Sequence, residues 1–178
     1  SREVEALRLL DHPHVCRLFE YFETSRHLWL VIELCRGKEL CDRIIDLPGG
    51  MSERQAARLM VQMLRATLHC HLRGVVHRDL KPENFIFTSS GGDSEALKLI
   101  DFGFSVQLHG SAALPVADPG LKSEAGTLLY MSPQMLKGEP ASQSDDVWSL
   151  GVIFYILLTG EFPFSTNDDH DFQRLVSQ

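Results

Sequence analysis

His77-Arg78-Asp79-Leu80-Lys81-Pro82-Glu83-Asn84, followed seventeen residues after Asn84 by Asp101-Phe102-Gly103, is the stretch around which this chain is organised. Two acidic groups, an amide and a lysine arrive in one short loop and the next. A carboxylate beside a lysine can accept or orient the proton of an attacking hydroxyl, while the lysine neutralises charge developing on a transferred phosphoryl group. An amide and a second carboxylate add the hard oxygens that magnesium takes together with phosphate and water. Each is an ordinary loop residue when taken singly. Together, Asp79, Lys81, Asn84 and Asp101 read as a site that holds a metal-bound polyphosphate beside an acceptor hydroxyl.

The 178 residues are 44% apolar and 23% charged, enough for one ordinary domain with a sizeable core. A net charge of −7 argues against a nucleic-acid or anionic-membrane surface and suits basic peptides or metal-complexed phosphates. Cysteines 16, 35, 41 and 70 form no C-x-x-C pair and read as reduced thiols of an intracellular, cytoplasmic protein. No basic-then-apolar leader and no run of 18 apolar residues is present. The stretch from Val147 to Leu158 is interrupted by Ser149 and Gly151 and reads as a core helix. Ser1-Arg2-Glu3 already lies inside an amphipathic pattern and Val176-Ser177-Gln178 stops inside another, so a fragment of a longer domain is expected.

Residues 3–10 predict the tail of a helix ending before His12-Pro13. Val15–Phe22 and His27–Cys35 predict a strand pair about a turn at residues 23–26, with Gly37 ending the second strand. A short helix over 39–45 leads to Pro48-Gly49-Gly50. Ser52 with Gln55 is a capping box, and Leu59, Met63, Ala66 and Cys70 recur at helical spacing up to Gly74. Val75-Val76, residues 85–87 and residues 97–100 predict short strands, with a polar turn over 89–93. Residues 105–125 show no sustained period and predict a loop. Ser142–Leu158 predicts a helix buried on every side, and Asp168–Gln178 another helix capped by Asn167 or Asp168. Asn167, Asp169 and Asp171 imitate the opening of a calcium loop, but Phe172 replaces its glycine and Gln178 its glutamate. His69 and His71 fall on different helix faces, which argues against a shared metal.

H-R-D-L-K-P-E-N followed by D-F-G resembles the eukaryotic protein kinases, and Lys81 resembles their Ser/Thr-specific branch. The resemblance covers essentially the whole chain. Residues 10–15, 37–40, 130–133 and 144–152 are most similar to the calcium/calmodulin-dependent and calcium-dependent protein kinases. It implies an α+β, protein-kinase-like bilobal fold, truncated, with a partial small lobe and a mostly helical large lobe. Residues 1–32 would be the small-lobe remnant, 33–39 the hinge, and 40–178 the large lobe without its last helices. It further implies ATP- and Mg-dependent phosphorylation of protein Ser/Thr hydroxyls, with Asp79, Lys81, Asn84 and Thr127 catalytic and with Asn84 and Asp101 on the metal. Glu3 is implied as the glutamate that pairs with a nucleotide-binding lysine and Ile32 as the gatekeeper. Adenine would meet the Glu33 carbonyl and the Cys35 amide, with Ile86 beneath it and Glu39 near the ribose. Leu7, Leu18, Phe102 and His77 match a stacked apolar column, which makes His77 a packing residue, and Asp146 matches an anchor of the catalytic loop. Gly103 would permit the reversal that turns Phe102 inward. Arg78 is suited to clamp a phosphate on Ser123, with Glu124 a partial stand-in, and Glu39 and Glu83 to meet arginines upstream of the target residue. Any calcium-sensor module or calmodulin control would lie outside this chain.

The chain departs from that pattern in three places. No glycine-rich loop or V-A-I-K-type lysine occurs in these residues, so this chain alone is expected to bind ATP weakly and to transfer phosphate poorly. Ser132-Pro133-Gln134 stands where A-P-E is usual, and a neutral Gln134 cannot balance a buried arginine. The 34-residue segment from Asp101 to Gln134 is long, with residues 112–119 as the insert. These departures leave a non-catalytic, pseudokinase-like scaffold as the alternative.

Overall fold

The computed structural model describes residues 1–89, 96–108 and 127–164. Helix α1 (Arg2–Leu9) buries Val4, Ala6 and Leu7 and gives way to extended backbone at Leu10, ahead of Pro13. Strands β1 (Leu18–Glu23) and β2 (Leu28–Ile32) then pair antiparallel from Glu20 with Val31 to Glu23 with Leu28. Their turn is closed by Thr24, whose Oγ1 accepts the backbone N–H of His27 at 3.0 Å.

Both strands are shorter than the β-rich composition predicted, because neighbouring chain is claimed by other partners. Val15 bridges Leu99 in parallel, with Cys16 N–H donating to the Leu99 carbonyl at 2.9 Å. Beyond Ile32 the chain crosses to β4 (Phe85–Phe87): Gly37 N–H donates to the Phe87 carbonyl at 2.9 Å, and Phe87 N–H to the Lys38 carbonyl at 3.0 Å. A Cβ at Gly37 would sit 2.5 Å from the Phe87 carbonyl oxygen, so glycine is required for the approach and not merely as a strand stop.

Helix α2 (Leu40–Ile45) follows, and then α3 (Glu53–Leu72), started by the Ser52–Gln55 capping box and succeeded by Gly74 at φ +72°. Strand β3 (Val75–Val76) pairs with β6 (Val106–Gln107), and β4 pairs with β5 (Leu97–Leu99), all antiparallel. Strand β6 corrects the expectation of structureless chain from residue 105, since a two-residue strand is too short to show a period. Short helix α4 (Pro133–Leu136) and α5 (Gln143–Thr159) complete the large half.

The core gathers Met63 and Ala66 of α3, Ile153 and Leu157 of α5, Phe85, Leu99 and Phe102 around one apolar centre, with Ala6 and Leu7 of α1 reaching the same cluster. Helix α5 is not buried on every side. Val147, Gly151, Phe154 and Tyr155, spaced to share one face, are exposed, while Asp145, Asp146, Ser149, Leu150 and Ile153 are buried. An apolar composition concealed which face the described residues cover. None of the helices of the described residues is long and apolar enough to cross a membrane. Most of the polar turn at 89–93, the insert at 112–119 and the helix expected over 168–178 lie outside the described residues.

The loop after α1 is fastened to α3 by histidines. Asp11 N–H donates to His69 Nε2 at 3.2 Å and His14 N–H to His12 Nδ1 at 3.1 Å, and the His12 and His69 rings lie 4.9 Å apart. Both acceptor nitrogens require neutral rings. Burial, then His69, His14, Arg65 and Lys98, hold His12 below its ordinary value; burial and Arg73 hold His69 low against the opposing pull of Asp11. Folded-state values below the unfolded value of 6.5 mean that the unfolded chain takes up these protons first. The contribution is therefore complete above about pH 6.5 and declines as the pH falls below it. Urea unfolding at pH 7.5 and 5.5 should show this loss, and His12→Gln/His69→Gln should lose less over the same interval; equal losses would contradict the assignment.

Candidate active site

The 77–84 loop is placed from behind by one carboxylate. Asp146, in the first turn of α5 and fully buried, accepts Arg78 N–H at 2.8 Å on Oδ1, and His77 N–H at 3.0 Å with His71 Nε2 at 2.8 Å on Oδ2. Strand β3 delivers the chain to this point, and a 3₁₀ turn at Pro82–Asn84 hands it on to β4. Arg78 adopts φ +69°, a left-handed conformation that costs a non-glycine residue about 1–2 kcal/mol. The Asp146 hydrogen bonds oppose that cost directly.

His77 is the packing residue expected. Its Nδ1 accepts Asp79 N–H at 3.3 Å, Nε2 donates to the Ile100 carbonyl at 3.1 Å, and its ring meets Phe102 edge-on at 4.8 Å. With both nitrogens engaged, it joins the loop to the chain before Asp101. Leu7 and Phe102 lie in the same core, with Leu18 packed against it, as the apolar column implied.

In front of this support the catalytic candidates converge. Asp79 Oδ2 receives Lys81 Nζ at 3.0 Å and Asn84 Nδ2 at 3.0 Å; Asn84 Nδ2 also donates to the Asp79 carbonyl at 2.7 Å, and Lys81 Nζ to Thr127 Oγ1 at 3.3 Å. The Asn84 nitrogen is thus committed to Asp79, which leaves its carbonyl oxygen to ligate a cation. Asp101 is exposed and itself makes the reversal, at φ +58°. This corrects the role given to Gly103, whose N–H donates to Asp101 Oδ1 at 3.0 Å and whose missing Cβ keeps that oxygen clear. Burial, and then the Asp101 carboxylate, raise the Glu3 pKa. Hard oxygens from Asn84 and Asp101 fit magnesium, which takes one or two carboxylates alongside phosphate and water.

At the 33–39 linker, Glu33 is pinned: its Oε2 receives Lys98 Nζ at 2.8 Å and Arg17 N–H at 3.3 Å. Ile32 is exposed, Cys35 is partly buried with its thiol pKa raised by burial, and Ile86 bridges to Glu39 across the linker. Lys98 and His71 contribute contacts that the motifs did not single out, and Ser132 and Asp145, inside motif stretches, contribute a contact that the motifs did not assign. Lys98 sits in a strand pattern and His71 in a helical one, so only their distant partners reveal them.

Two groups of opposite sign are left over. Arg78 Nε and Nη1 are buried and have no partner among the described residues, and neither has Glu83 Oε2. Ser123 and Glu124 lie outside the described residues. Gln134 is exposed, and its backbone carbonyl accepts Glu139 N–H at 3.0 Å.

Residues 1–178 match the protein kinase domain family. The chain is 38% identical over 178 residues to calcium-dependent protein kinase 5 of Plasmodium berghei, covering 100% of this chain and 30% of that protein. It is 41% identical over 177 residues to CDPK-related kinase 1 of Arabidopsis thaliana, covering 99% and 29%. A probable myosin light chain kinase of Dictyostelium discoideum is 38% identical over 177 residues, covering 99% and 43%. The chain therefore spans less than half the length of each of these relatives.

Asp146→Ala would leave three donors facing an apolar void. It should destabilise the fold by about 3–5 kcal/mol in chemical denaturation; a loss under about 1 kcal/mol, the net value of one ordinary hydrogen bond, would show that the loop is held otherwise.

Proposed function

The chain belongs to the protein kinase domain family, and on that basis we propose that it carries the catalytic part of a serine/threonine protein kinase that uses ATP and magnesium. The joined cluster of Asp79, Lys81, Asn84 and Thr127 carries this reading. Asp79 orients or deprotonates the acceptor hydroxyl, with Oδ2 already occupied by Lys81 and Asn84. Lys81, steadied by Thr127, stabilises the transferring group. Asn84 and Asp101 hold magnesium, which when bound neutralises charge on the phosphate oxygens. Adenine lies over Ile86 beside Ile32, facing the Glu33 carbonyl and the Cys35 amide, and Glu39 meets the ribose. A cluster so completely assembled favours catalysis over the scaffold reading.

The orphan oxygen of Glu83, the exposed Glu39 and the net charge of −7 support peptides with an arginine upstream of the target residue. The orphan guanidinium of Arg78 supports an anionic partner on the 109–126 segment, and phosphorylated Ser123 is the partner we propose. Two of the relatives are named calcium-dependent or CDPK-related kinases, and we extend calcium control to this protein through a sensor outside these residues. Four unpaired cysteines suit a reducing, cytoplasmic setting.

In the full-length protein, Asp79→Asn should lower phosphate transfer to a serine peptide about 10²–10⁴-fold without loss of ATP binding. A wild-type protein that binds ATP yet phosphorylates no peptide in an array would overturn the kinase reading, and an array without basic preference would overturn the role of Glu83. Ser123→Ala should slow transfer about tenfold, roughly the worth of one charge-assisted contact; undiminished activity would remove Ser123 as the partner of Arg78.

A further inference from the structure

Consecutive carboxylates in the first turn of α5 serve different loops. Asp146 is spent on the backbone of His77 and Arg78. Asp145, 3% exposed, turns elsewhere: its Oδ1 accepts the Ser132 hydroxyl at 2.5 Å and its Oδ2 the Ser142 N–H at 2.8 Å. Ser132 is itself 2% exposed, and its Oγ accepts Met135 N–H at 3.1 Å while donating to Asp145. One turn along α5, Ser149 Oγ donates to the Tyr130 carbonyl at 2.8 Å. The segment that begins with Thr127 is thus tied to α5 at Tyr130 and at Ser132, whereas Gln134 beside them is exposed.

We propose that Ser132 and Asp145 are positioning residues for phosphoryl transfer, an inference that rests on the kinase reading above. Because residues 145 and 146 are adjacent on one helix, the loop bearing Asp79 and the segment bearing Thr127 are both referenced to a single rigid turn. The Ser132–Asp145 bond sets where Thr127 stands, and through it the 3.3 Å contact with Lys81. A hydroxyl donated to a buried carboxylate is a charge-assisted bond, and its loss leaves an acceptor that water cannot reach. The backbone of the 130–135 turn would then be free to shift without disturbing the loop held by Asp146.

A double-mutant cycle on the full-length protein tests this. Ser132→Ala and Asp145→Ala should each lower kcat/KM for an arginine-containing serine peptide about tenfold. KM for ATP should stay within about twofold, and the double variant should be no worse than the poorer single variant, since the effect on transfer comes from the one bond the two residues share. Losses that multiply, or that fall equally on ATP and peptide, overturn the proposal. Amide hydrogen exchange gives a readout independent of activity: both single variants should speed exchange at Met131 by a similar factor while His77 and Arg78 stay protected. Unchanged Met131 exchange overturns the proposal even if the wild-type protein transfers no phosphate, an outcome that by itself overturns only the kinase reading. Should Asp145→Ala not fold because the Ser142 cap is also lost, Asp145→Asn takes its place in the cycle.

Discussion

A buried carboxylate, Asp146, is the constraint on which the site depends. The loop that presents Asp79 turns through a left-handed residue and forms no sheet at His77 and Arg78, so its backbone N–H groups need an acceptor from outside. An uncompensated charge at this depth would be prohibitive, but three donors surround this one and the N-terminal turn of α5 favours negative charge. The helix is in turn held by its own capping box and by packing against α3. Loop geometry is thereby tied to the packed core of α3 and α5.

The electrostatics in front of this support divide by side. Burial, and then the Asp101 carboxylate, raise the Glu3 pKa, while Lys98 neutralises Glu33 at the linker. Buried polar atoms in folded proteins are nearly always paired. Arg78 Nε and Nη1 and Glu83 Oε2, without a partner among the described residues, therefore mark places where an anion and a cation would be accepted. Both lie on the 77–84 loop, Arg78 immediately before Asp79 and Glu83 immediately before Asn84.

Much of the architecture follows from short-range chemistry. The capping box at Ser52–Gln55 and the apolar rhythm of Leu59, Met63, Ala66 and Cys70 specify α3 because both act within a few turns of chain. The loop motif specifies which side chains meet at the site, since Asp79, Lys81 and Asn84 are close in sequence and their contacts are local. Family resemblance supplied the expectation for His77 and for the anchoring by Asp146, and the geometry bears out both.

Other features depend on distant partners and left no local pattern. Val15 joined β5 instead of β1, two-residue strand β6 found β3, and the apolar α5 kept one face exposed. The backbone reversal fell on Asp101 because the hydrogen bond from Gly103 closes around its carboxylate, a geometry that residue type favours only weakly. Asp145 and Ser132, thirteen residues apart, lie in stretches matched to the family, but nothing in either stretch assigns them to each other until α4 and α5 bring them together. Residue order settled which side chains meet in the 77–84 loop and the local elements, because hydrogen bonds within a turn depend on neighbours alone. Tertiary packing settled which buried carboxylate holds which loop, because that choice is made between groups far apart in the chain.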